Sequence, residues 1–297
     1  MQLSARFLVA LESFAAAWLV ACSAQPEAMP DSTRIFDNPQ RVTLRGYDGD
    51  AMEPFITRDG RYLLFNNRND PSVDTNLHYP ERIDDLTFQY RGEIAGVNTH
   101  ALEGVATVDR DNVLYFVSTR SYATSRSTIY RGNDSHGQVT GVEPVPGISK
   151  HEPGTVDFDV EISPDGRTLY FAEDKFSGAS PKTADIVIAS KRGNAFERAG
   201  CTESILRRVN TDALEYAPCI SADGLTLFFT RARIGFGGGT AIYMSRRSSS
   251  SGPFDAPARL AAIEGLAEAP ALSPDERSLY HHKKDGPKYA IYRLARQ

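Results

Sequence analysis

One pattern occurs five times between residues 53 and 280: an apolar run, a tight turn at an aspartate, and a second apolar run. The copies occupy residues 53–65, 103–116, 159–171, 217–229 and 269–280. Their turn aspartates, separated by 52, 54, 58 and 52 residues, are Asp59, Asp111, Asp165, Asp223 and Asp275. A repeat of this length is typical of architectures that stack one small unit many times, and it constrains the fold of the whole chain.

Each copy predicts a β-hairpin. Three copies have Asp-Gly between β-branched and aromatic residues, where the glycine supplies the positive φ that a two-residue turn requires. In the other two, Asn112 can take that conformation as well, and Glu276 less easily. A third strand-like run follows each hairpin, at residues 76–79, 128–131, 185–190, 241–245 and 290–294. A fourth run follows the first four hairpins, for example at 86–90 and 139–145. The fifth unit lacks one, and the segment 41–44 near the N-terminus has no partner.

Closing the ring accounts for both the missing strand of the fifth unit and the unpaired N-terminal segment, because the N-terminal strand then completes the last unit and leaves no open sheet edge. The sequence therefore predicts an all-β fold, a five-bladed β-propeller with ring closure by the N-terminal strand. The alternative is an open β-sandwich of many hairpins.

The repeat also resembles a known family. The stretch Ser-Pro-Asp-Gly-Arg-Thr-Leu-Tyr-Phe at 163–171 and the Ile-Tyr pairs at 129–130, 242–243 and 291–292 resemble the Tol-B-type propeller repeat, a WD-like repeat of bacterial envelope proteins. The resemblance covers about residues 36 to 297, and the second copy fits least well. It implies a scaffold for binding, although some members of that family are enzymes.

The N-terminal residues predict that the protein is located in the cell envelope. Residues 7–21 are mostly apolar but too short to span a membrane, which suits the core of a signal peptide at 1–21. The run ends Leu-Val-Ala-Cys22 and resembles the lipobox of bacterial lipoproteins, which implies a lipidated Cys22, a tether over 22–35 and a domain over 36–297. Ser23 then favours the outer membrane, and because Glu12 interrupts the apolar run, a secreted or periplasmic protein is the alternative.

The composition limits the partners. The net charge of −5 and the lack of a clustered basic patch argue against nucleic acid. No second long apolar run exists, so the expected membrane contact is the lipid anchor alone. We expect a monomer, no required cofactor, and a protein or glycan partner in the envelope.

Strand alternation divides the propeller into two faces. The five aspartate turns form one face, the turn face. The loops that enter each blade and those that join second to third strands form the other, the open-loop face; the latter loops are 69–75, 121–127, 174–184, 233–240 and 284–288. They vary in length, which is typical of a binding surface.

Each blade carries an acid where its innermost strand begins, and these candidate ligand-binding residues are Glu53, Glu103, Asp159, Glu215 and Glu268. Five carboxylates at one channel mouth would repel each other and need a cation, a basic ligand or raised pKa values. Calcium is possible at such a ring. The alternatives are acid/base chemistry by a carboxylate pair, or acids that bond backbone amides at the strand starts.

Other polar residues are expected at the rim of this face: Arg68, Arg120, Arg231, His100 and His151. His281 and His282 are expected to be exposed there as well, beside two lysines. Cys219, in an inner strand, is expected to be buried and too far from Cys201 for a disulfide.

Three functions fit this sequence. The first is an envelope-anchored module that binds a protein, glycan or small ligand at the open-loop face. The second is a carbohydrate-active enzyme, of the glycoside hydrolase or lyase type, that uses carboxylates at the channel mouth. The third is a protein that binds a cation or small ligand. The sequence contains no nucleophile-elbow motif, so a binding role is favoured over an enzymatic one.

Overall fold

The computed structural model describes residues 35–69, 74–175, 183–233 and 239–297. The predicted signal peptide, Cys22 and the tether lie outside these residues. The described chain folds as a five-bladed β-propeller, which confirms the predicted fold class. Two short helices, α1 (Tyr122–Ser125) and α2 (Thr202–Leu206), accompany the strands.

Each blade is an antiparallel sheet whose first strand lies innermost. Blade 1 consists of β3 (Met52–Ile56), β4 (Leu63–Asn66), β5 (Leu77–Arg82) and β6 (Thr87–Glu93). Blade 2 consists of β7 (Glu103–Val108), β8 (Val113–Ser118), β9 (Ile129–Asp134) and β10 (Val139–Pro144). Blade 3 consists of β11 (Thr155–Ile162), β12 (Thr168–Lys175), β13 (Asp185–Arg192) and β14 (Ala195–Arg198).

The last two blades follow the same plan. Blade 4 consists of β15 (Leu214–Ile220), β16 (Thr226–Arg233), β17 (Gly239–Arg246) and β18 (Ala258–Arg259). Blade 5 takes three strands from the C-terminus and one from the N-terminus: β19 (Ala267–Leu272), β20 (Ser278–Asp285), β21 (Lys288–Arg296) and β1 (Phe36–Arg41).

The ring closes through β1, which pairs antiparallel with β21, with Phe36 opposite Arg296 and Arg41 opposite Tyr292. The amide of Gln297 also donates to the carbonyl of Ile35 at 3.0 Å, so the two ends of the described chain are hydrogen-bonded to each other. Ring closure by the N-terminal strand is therefore confirmed.

The position of the closing strand differs from the prediction. The segment 41–44 was expected to close the ring, but closure uses Phe36–Arg41. The next strand, β2 (Thr43–Arg45), turns to the first blade and pairs parallel with β6, with Leu44 opposite Phe88. Blade 1 thereby gains a fifth strand. The apolar residues of the predicted segment explain the shift, since Val42 is buried against blade 1 and its neighbour blade 5.

Every innermost strand contains a β-bulge at the same place. Six residues before each turn aspartate, a non-glycine residue adopts a positive φ of 48° to 56°: Glu53, Val105, Asp159, Ala217 and Ala269. The pairing register between first and second strands slips by one residue at each of these positions. Left-handed backbone at non-glycine residues costs free energy, so five equivalent cases indicate a requirement of the ring itself.

The propeller axis is closed toward the turn face. Arg58 reaches from blade 1 to blades 2 and 3, where its guanidinium donates to the carbonyls of Val108 and Ile162 at 2.9 and 2.8 Å and pairs with Glu161 at 3.2 Å. Thr107 donates to the second oxygen of Glu161 at 2.7 Å. This buried ion pair ties three blades together at one end of the axis.

Above this pair, the axis is filled by small and apolar side chains. Three prolines occupy the same position, five residues before the turn aspartate: Pro54, Pro218 and Pro270. The cavity that they line has a volume of about 30 Å³ and borders Glu53. That is about the space of one water molecule, so no wide channel crosses the propeller.

The cysteines behave as expected. Cys219 is buried and Cys201 is exposed, and they form no disulfide. Among the described residues, no helix is long and apolar enough to cross a membrane.

Removing the closing strand should destabilise the propeller strongly. A chain that begins at Val42 loses β1, exposes the edge of β21 and uncovers Phe36's partners in the blade 4–5 core. We expect its thermal midpoint to fall by more than about 8 °C relative to that of a chain that begins at Ile35. In domains of this size, a fall of ~4 °C in the midpoint corresponds to a loss of about 1 kcal/mol or more in the free energy of unfolding. Equal midpoints for the two chains would contradict closure by β1.

Candidate functional site

Side chains from four blades meet at the end of the axis that lies toward the open-loop face. We call this group the axial cluster; its members are Glu53, Asp159, Tyr216, Glu268 and His282. The bulges create it, because Glu53 and Asp159 are themselves bulge residues, and Tyr216 and Glu268 directly precede the bulge residues of blades 4 and 5. His282 lies on the second strand of blade 5.

The carboxyl groups of the cluster are buried and close to each other. Burial raises the pKa of Glu53 well above its ordinary value, and the charges of Asp159 and Glu268 raise it further. Burial likewise raises the pKa of Asp159 to about 7, although its carboxylate accepts a hydrogen bond from the Ala217 amide at 3.2 Å. Glu268, which keeps some exposure, has its pKa raised by burial to about 7, with Tyr216 opposing the shift.

No cationic side chain among the described residues pairs with Glu53, Asp159 or Glu268. Within the described chain, the partner of the Glu53 carboxylate is the side-chain amide of Asn69, which donates to Oε1 at 2.9 Å. The Tyr216 hydroxyl lies beside Glu268, and its own pKa is raised by burial and by the neighbouring carboxylates. This end of the axis thus holds three carboxyl groups that no cationic side chain of the described residues compensates.

His282 joins the cluster in a fixed orientation. Its Nδ1 accepts a hydrogen bond from the backbone amide of Glu53 at 3.1 Å, and its side chain is fully buried. Burial lowers its pKa to about 3, so the ring is neutral at physiological pH. A neutral ring that accepts at Nδ1 carries its proton on Nε2.

One atom each of Glu53, Glu268 and His282 lie within 4.8 Å of one another. This buried group could therefore hold a metal ion. It differs from the predicted ring of five acids, since only two of those acids belong to it and a histidine joins them.

Asp159 belongs to the axial cluster but not to this group, and the remaining two predicted acids, Glu103 and Glu215, lie outside the cluster and have their own partners. Glu103 accepts hydrogen bonds from the Thr99 amide at 2.8 Å and from Ser118 at 2.7 Å, and it pairs with Arg120 at 3.2 Å. Glu215 accepts from the Thr211 amide at 2.9 Å and pairs with Arg231 at 2.6 Å. Both are fully buried and hold the blade entry in place, which is the backbone-bonding alternative for these acids.

These two sites are copies of each other. The side chain of Asn98 pairs with both backbone groups of Leu77 in blade 1, at 2.8 and 3.0 Å. Asn210, 112 residues later, does the same with Ile186 in blade 3, at 3.0 and 2.9 Å. The near-identical Asn-Thr-x-Ala-Leu-Glu segments are thus a local fold motif that joins adjacent blades, blade 1 to blade 2 and blade 3 to blade 4.

The predicted rim residues do not converge on the axis. Arg120 and Arg231 belong to the two entry motifs. Arg68 is half exposed and 3.9 Å from Asp50. His100 is fully exposed beside Asp74, and His151 is exposed, with its Nδ1 at 2.8 Å from the carbonyl of Ser125.

The expectation that His281 and His282 are exposed was wrong. Both lie on β20 with exposed fractions of 1% and 0%. His281 stacks on Tyr292, and His282 faces the axis. The polar run His-His-Lys-Lys suggested a surface, but β20 is a second strand, and its first residues are covered by the blades on both sides.

Parts of the open-loop face lie outside the described residues. These are 70–73, 176–182 and 234–238, within three of the loops that were expected to form the binding surface. The glycine-rich segment with Phe236 is among them.

No protein-family model matches the chain, and no curated protein matches it. Among solved structures, the chain is similar to the endo-arabinase of Bacteroides thetaiotaomicron, with 16% identity, 88% of this chain and 97% of that chain covered, and a TM-score of 0.55. It is also similar to the GH62 α-L-arabinofuranosidase of Podospora anserina, with 13% identity, coverage of 88% and 96%, and a TM-score of 0.53.

TolB from Acinetobacter baumannii is a further structural neighbour, at 13% identity and a TM-score of 0.48. The match covers 84% of this chain but only 55% of TolB, so the chain spans about half the length of that protein. At these identities the likenesses show the propeller fold and do not decide the function.

The axial cluster should make stability depend on pH in an unusual direction. The folded pKa of Glu268 is about 7 against an ordinary 4.5, so the folded state favours the protonated form. This contribution is fully present below pH ~4 and is lost as the pH rises through about 7. We expect the wild-type free energy of unfolding to fall by about 1–3 kcal/mol more between pH 5 and 8 than that of Glu268→Gln, measured by urea denaturation.

Asp212→Asn is the matched control, because Asp212 is an exposed acid at a blade entry on the same face. It should keep the wild-type pH dependence. If Glu268→Gln and the wild type lose stability in parallel from pH 5 to 8, the cluster does not hold protonated carboxyl groups.

Proposed function

We propose that the chain is an envelope-anchored binding module that takes its ligand at the axial cluster, on the open-loop face of the propeller. The observation that supports this proposal most directly is the convergence of three buried carboxyl groups without a cationic partner among the described residues. Structural acids in the same propeller, such as Glu103, Glu161 and Glu215, each have an arginine. An uncompensated cluster is costly, and a ligand that supplies positive charge or hydrogen-bond donors offsets that cost.

The chemistry of the cluster selects the ligand. Carboxyl groups accept hydrogen bonds from sugar hydroxyls and amines, and they also bind calcium. Because the cluster is nearly buried, only a protruding group of a glycan or protein, or an ion, can reach it. We therefore propose a glycan or protein partner in the envelope that presents such a group.

Binding can be tested with neutral sugars. Arabino-, xylo- and cello-oligosaccharides serve as probes for the chain from Ser23 onward, by thermal shift and calorimetry, once with EDTA and once with calcium chloride. We expect at least one probe to bind the wild type and Asp212→Asn equally. Glu53→Gln and Glu268→Gln should weaken that binding by about tenfold, since an amide cannot release a proton to form a charge-assisted hydrogen bond with the ligand as a carboxyl group can. A probe that binds all four proteins alike would place the site elsewhere.

Strand direction also supports an orientation at the membrane. β1 runs antiparallel to β21 and so begins at the turn face, where Ile35 accepts the hydrogen bond of Gln297. The predicted tether 22–35 therefore leaves from the turn face. We propose that the lipid on Cys22 holds the turn face toward the outer membrane and leaves the open-loop face accessible in the periplasm.

The anchor has a direct test. Cys22→Ser should release the protein into the soluble periplasmic fraction, because a protein with no lipid chain lacks the apolar area that holds it to the bilayer. Fractionation and immunoblotting measure this, with Cys201→Ser as the control that stays attached. Membrane attachment of Cys22→Ser would exclude the lipoprotein anchor.

A carbohydrate-active enzyme is the second candidate. The raised pKa values of Asp159 and Glu268, about 7, suit a general acid at neutral pH. The structural neighbours named as an endo-arabinase and an arabinofuranosidase are similar to this chain in fold. Release of product from arabino-oligosaccharides by the wild type, and its loss in Glu268→Gln, would favour this function over binding alone.

A further inference from the structure

Two polar atoms of the axial cluster have no hydrogen-bond partner among the described residues: Glu53 Oε2 and His282 Nε2. Both are buried, and the residues that carry them are 5% and 0% exposed. Buried polar atoms are nearly always paired, so two unpaired atoms in one cluster point to a partner that the described residues do not supply.

The size of the site limits that partner. One ligand atom of each of Glu53, Glu268 and His282 lies within 4.8 Å of the other two, and the neighbouring cavity of about 30 Å³ is lined by apolar residues together with Glu53 and Glu161. A whole sugar or peptide group does not fit among these atoms. A cation with 2.3–2.6 Å bonds to oxygen, the range that calcium adopts, does.

The hydrogen bond at Nδ1 decides what His282 can do. A histidine that binds a metal through one nitrogen normally carries a proton on the other and donates it. In this chain Nδ1 accepts the amide of Glu53, so the proton resides on Nε2 and neither nitrogen is free to ligate. His282 is therefore a donor, and the ligands must be oxygen atoms.

We propose that the axial cluster binds one calcium ion through the carboxylates of Glu53 and Glu268, with Asp159 adding negative charge beside them, and that His282 is a positioning residue whose Nε2–H donates to a ligating carboxylate. The proposal rests on the proposed function, since it names the cation of that same site. It departs from the five-acid ring, because Glu103 and Glu215 are already neutralised by Arg120 and Arg231.

Calcium fits this donor set better than zinc or magnesium. Zinc prefers nitrogen and sulfur ligands, and the tautomer of His282 leaves no ring nitrogen free to bind it. Magnesium keeps several waters in a strict octahedron, for which the buried site has little room. Calcium accepts irregular oxygen sets and bidentate carboxylates, and a total carboxylate charge of three favours its binding.

The experiment uses the chain from Ser23 onward, freed of metals with EDTA and then desalted. Calorimetry at pH 8 with calcium, magnesium, manganese or zinc chloride alone should give the tightest binding for calcium. We expect Glu268→Gln and Glu53→Gln to weaken calcium binding by about 100-fold or more, and Asp212→Asn to leave it unchanged. His282→Gln should weaken it by about 10- to 100-fold without changing the order of the metals, as loss of an outer hydrogen bond does.

Nuclear magnetic resonance on the wild type gives a second measurement that does not depend on how the variants fold. Long-range proton–nitrogen spectra should show His282 protonated at Nε2 with and without calcium, while the side-chain carboxyl carbons of Glu53 and Glu268 shift on calcium addition. No calcium binding at pH 8, tighter binding of zinc than of calcium, or a His282 nitrogen shifted by direct ligation would each overturn the proposal.

The outcome separates this proposal from the proposed function. Sugar binding that persists in EDTA and is lost in Glu268→Gln, together with absent calcium binding, would overturn the calcium site alone. Calcium binding without any sugar or protein ligand would leave the ion site in place and overturn the wider binding role.

Discussion

The structure depends on one bond that recurs around the ring, in which the blade before accepts the bulge amide of an innermost strand; four of the five bulges have it, at Glu53, Val105, Ala217 and Ala269. In three blades the acceptor is the side chain seven residues after the turn aspartate, on the second strand. Asn66 is this acceptor for Val105, Thr230 for Ala269 and His282 for Glu53, at 3.0 to 3.1 Å. These bonds satisfy strained, buried amides and join blades that otherwise meet through apolar contacts.

Variation in this bond explains where the polar chemistry lies. In blade 3 the seventh position is Ala172, which cannot accept, and Asp159 takes over by bonding the Ala217 amide at 3.2 Å. In blade 5 the acceptor is His282, and the bulge residue opposite is Glu53. The acids thus gather at the open end of the axis with no cationic partner in the described part of the chain, whereas the turn-face end is neutralised by the Arg58–Glu161 pair. The two ends of the axis therefore differ in charge, with acids at the open-loop end and an ion pair at the turn-face end.

Much of the fold could be predicted from the sequence, because Asp-Gly turns and the count of strands per repeat depend on local backbone preferences. The site could be predicted only in part. Glu53 and Asp159 stand six residues before their turn aspartates, Glu268 stands seven before, and Glu103 and Glu215 stand eight before. Because a bulge lies between these positions, the side chains of neighbouring residues point in different directions. Five acids at similar positions along their strands therefore do not meet at one place.

Counting from the turn would have separated these acids, and counting seven residues forward would have placed His282 beside the axis despite its polar neighbours. The repeated Asn-Thr-x-Ala-Leu-Glu segments also carried a signal, since the same acid in the same local motif indicates a shared fold role. No pattern in the sequence predicts the bulge itself. Its positive φ falls on Glu, Val, Asp and Ala, residues that do not favour that conformation.

The central claim is that three carboxyl groups meet at the open end of the axis and hold protons near neutral pH. Carbon-detected titration of the side-chain carboxyl groups measures this residue by residue. The account predicts that Asp159 and Glu268 titrate near pH 7 and that Glu53 remains protonated above its ordinary range, in the absence of added ions. Titration of all three at the ordinary values of about 4 to 4.5 would contradict it.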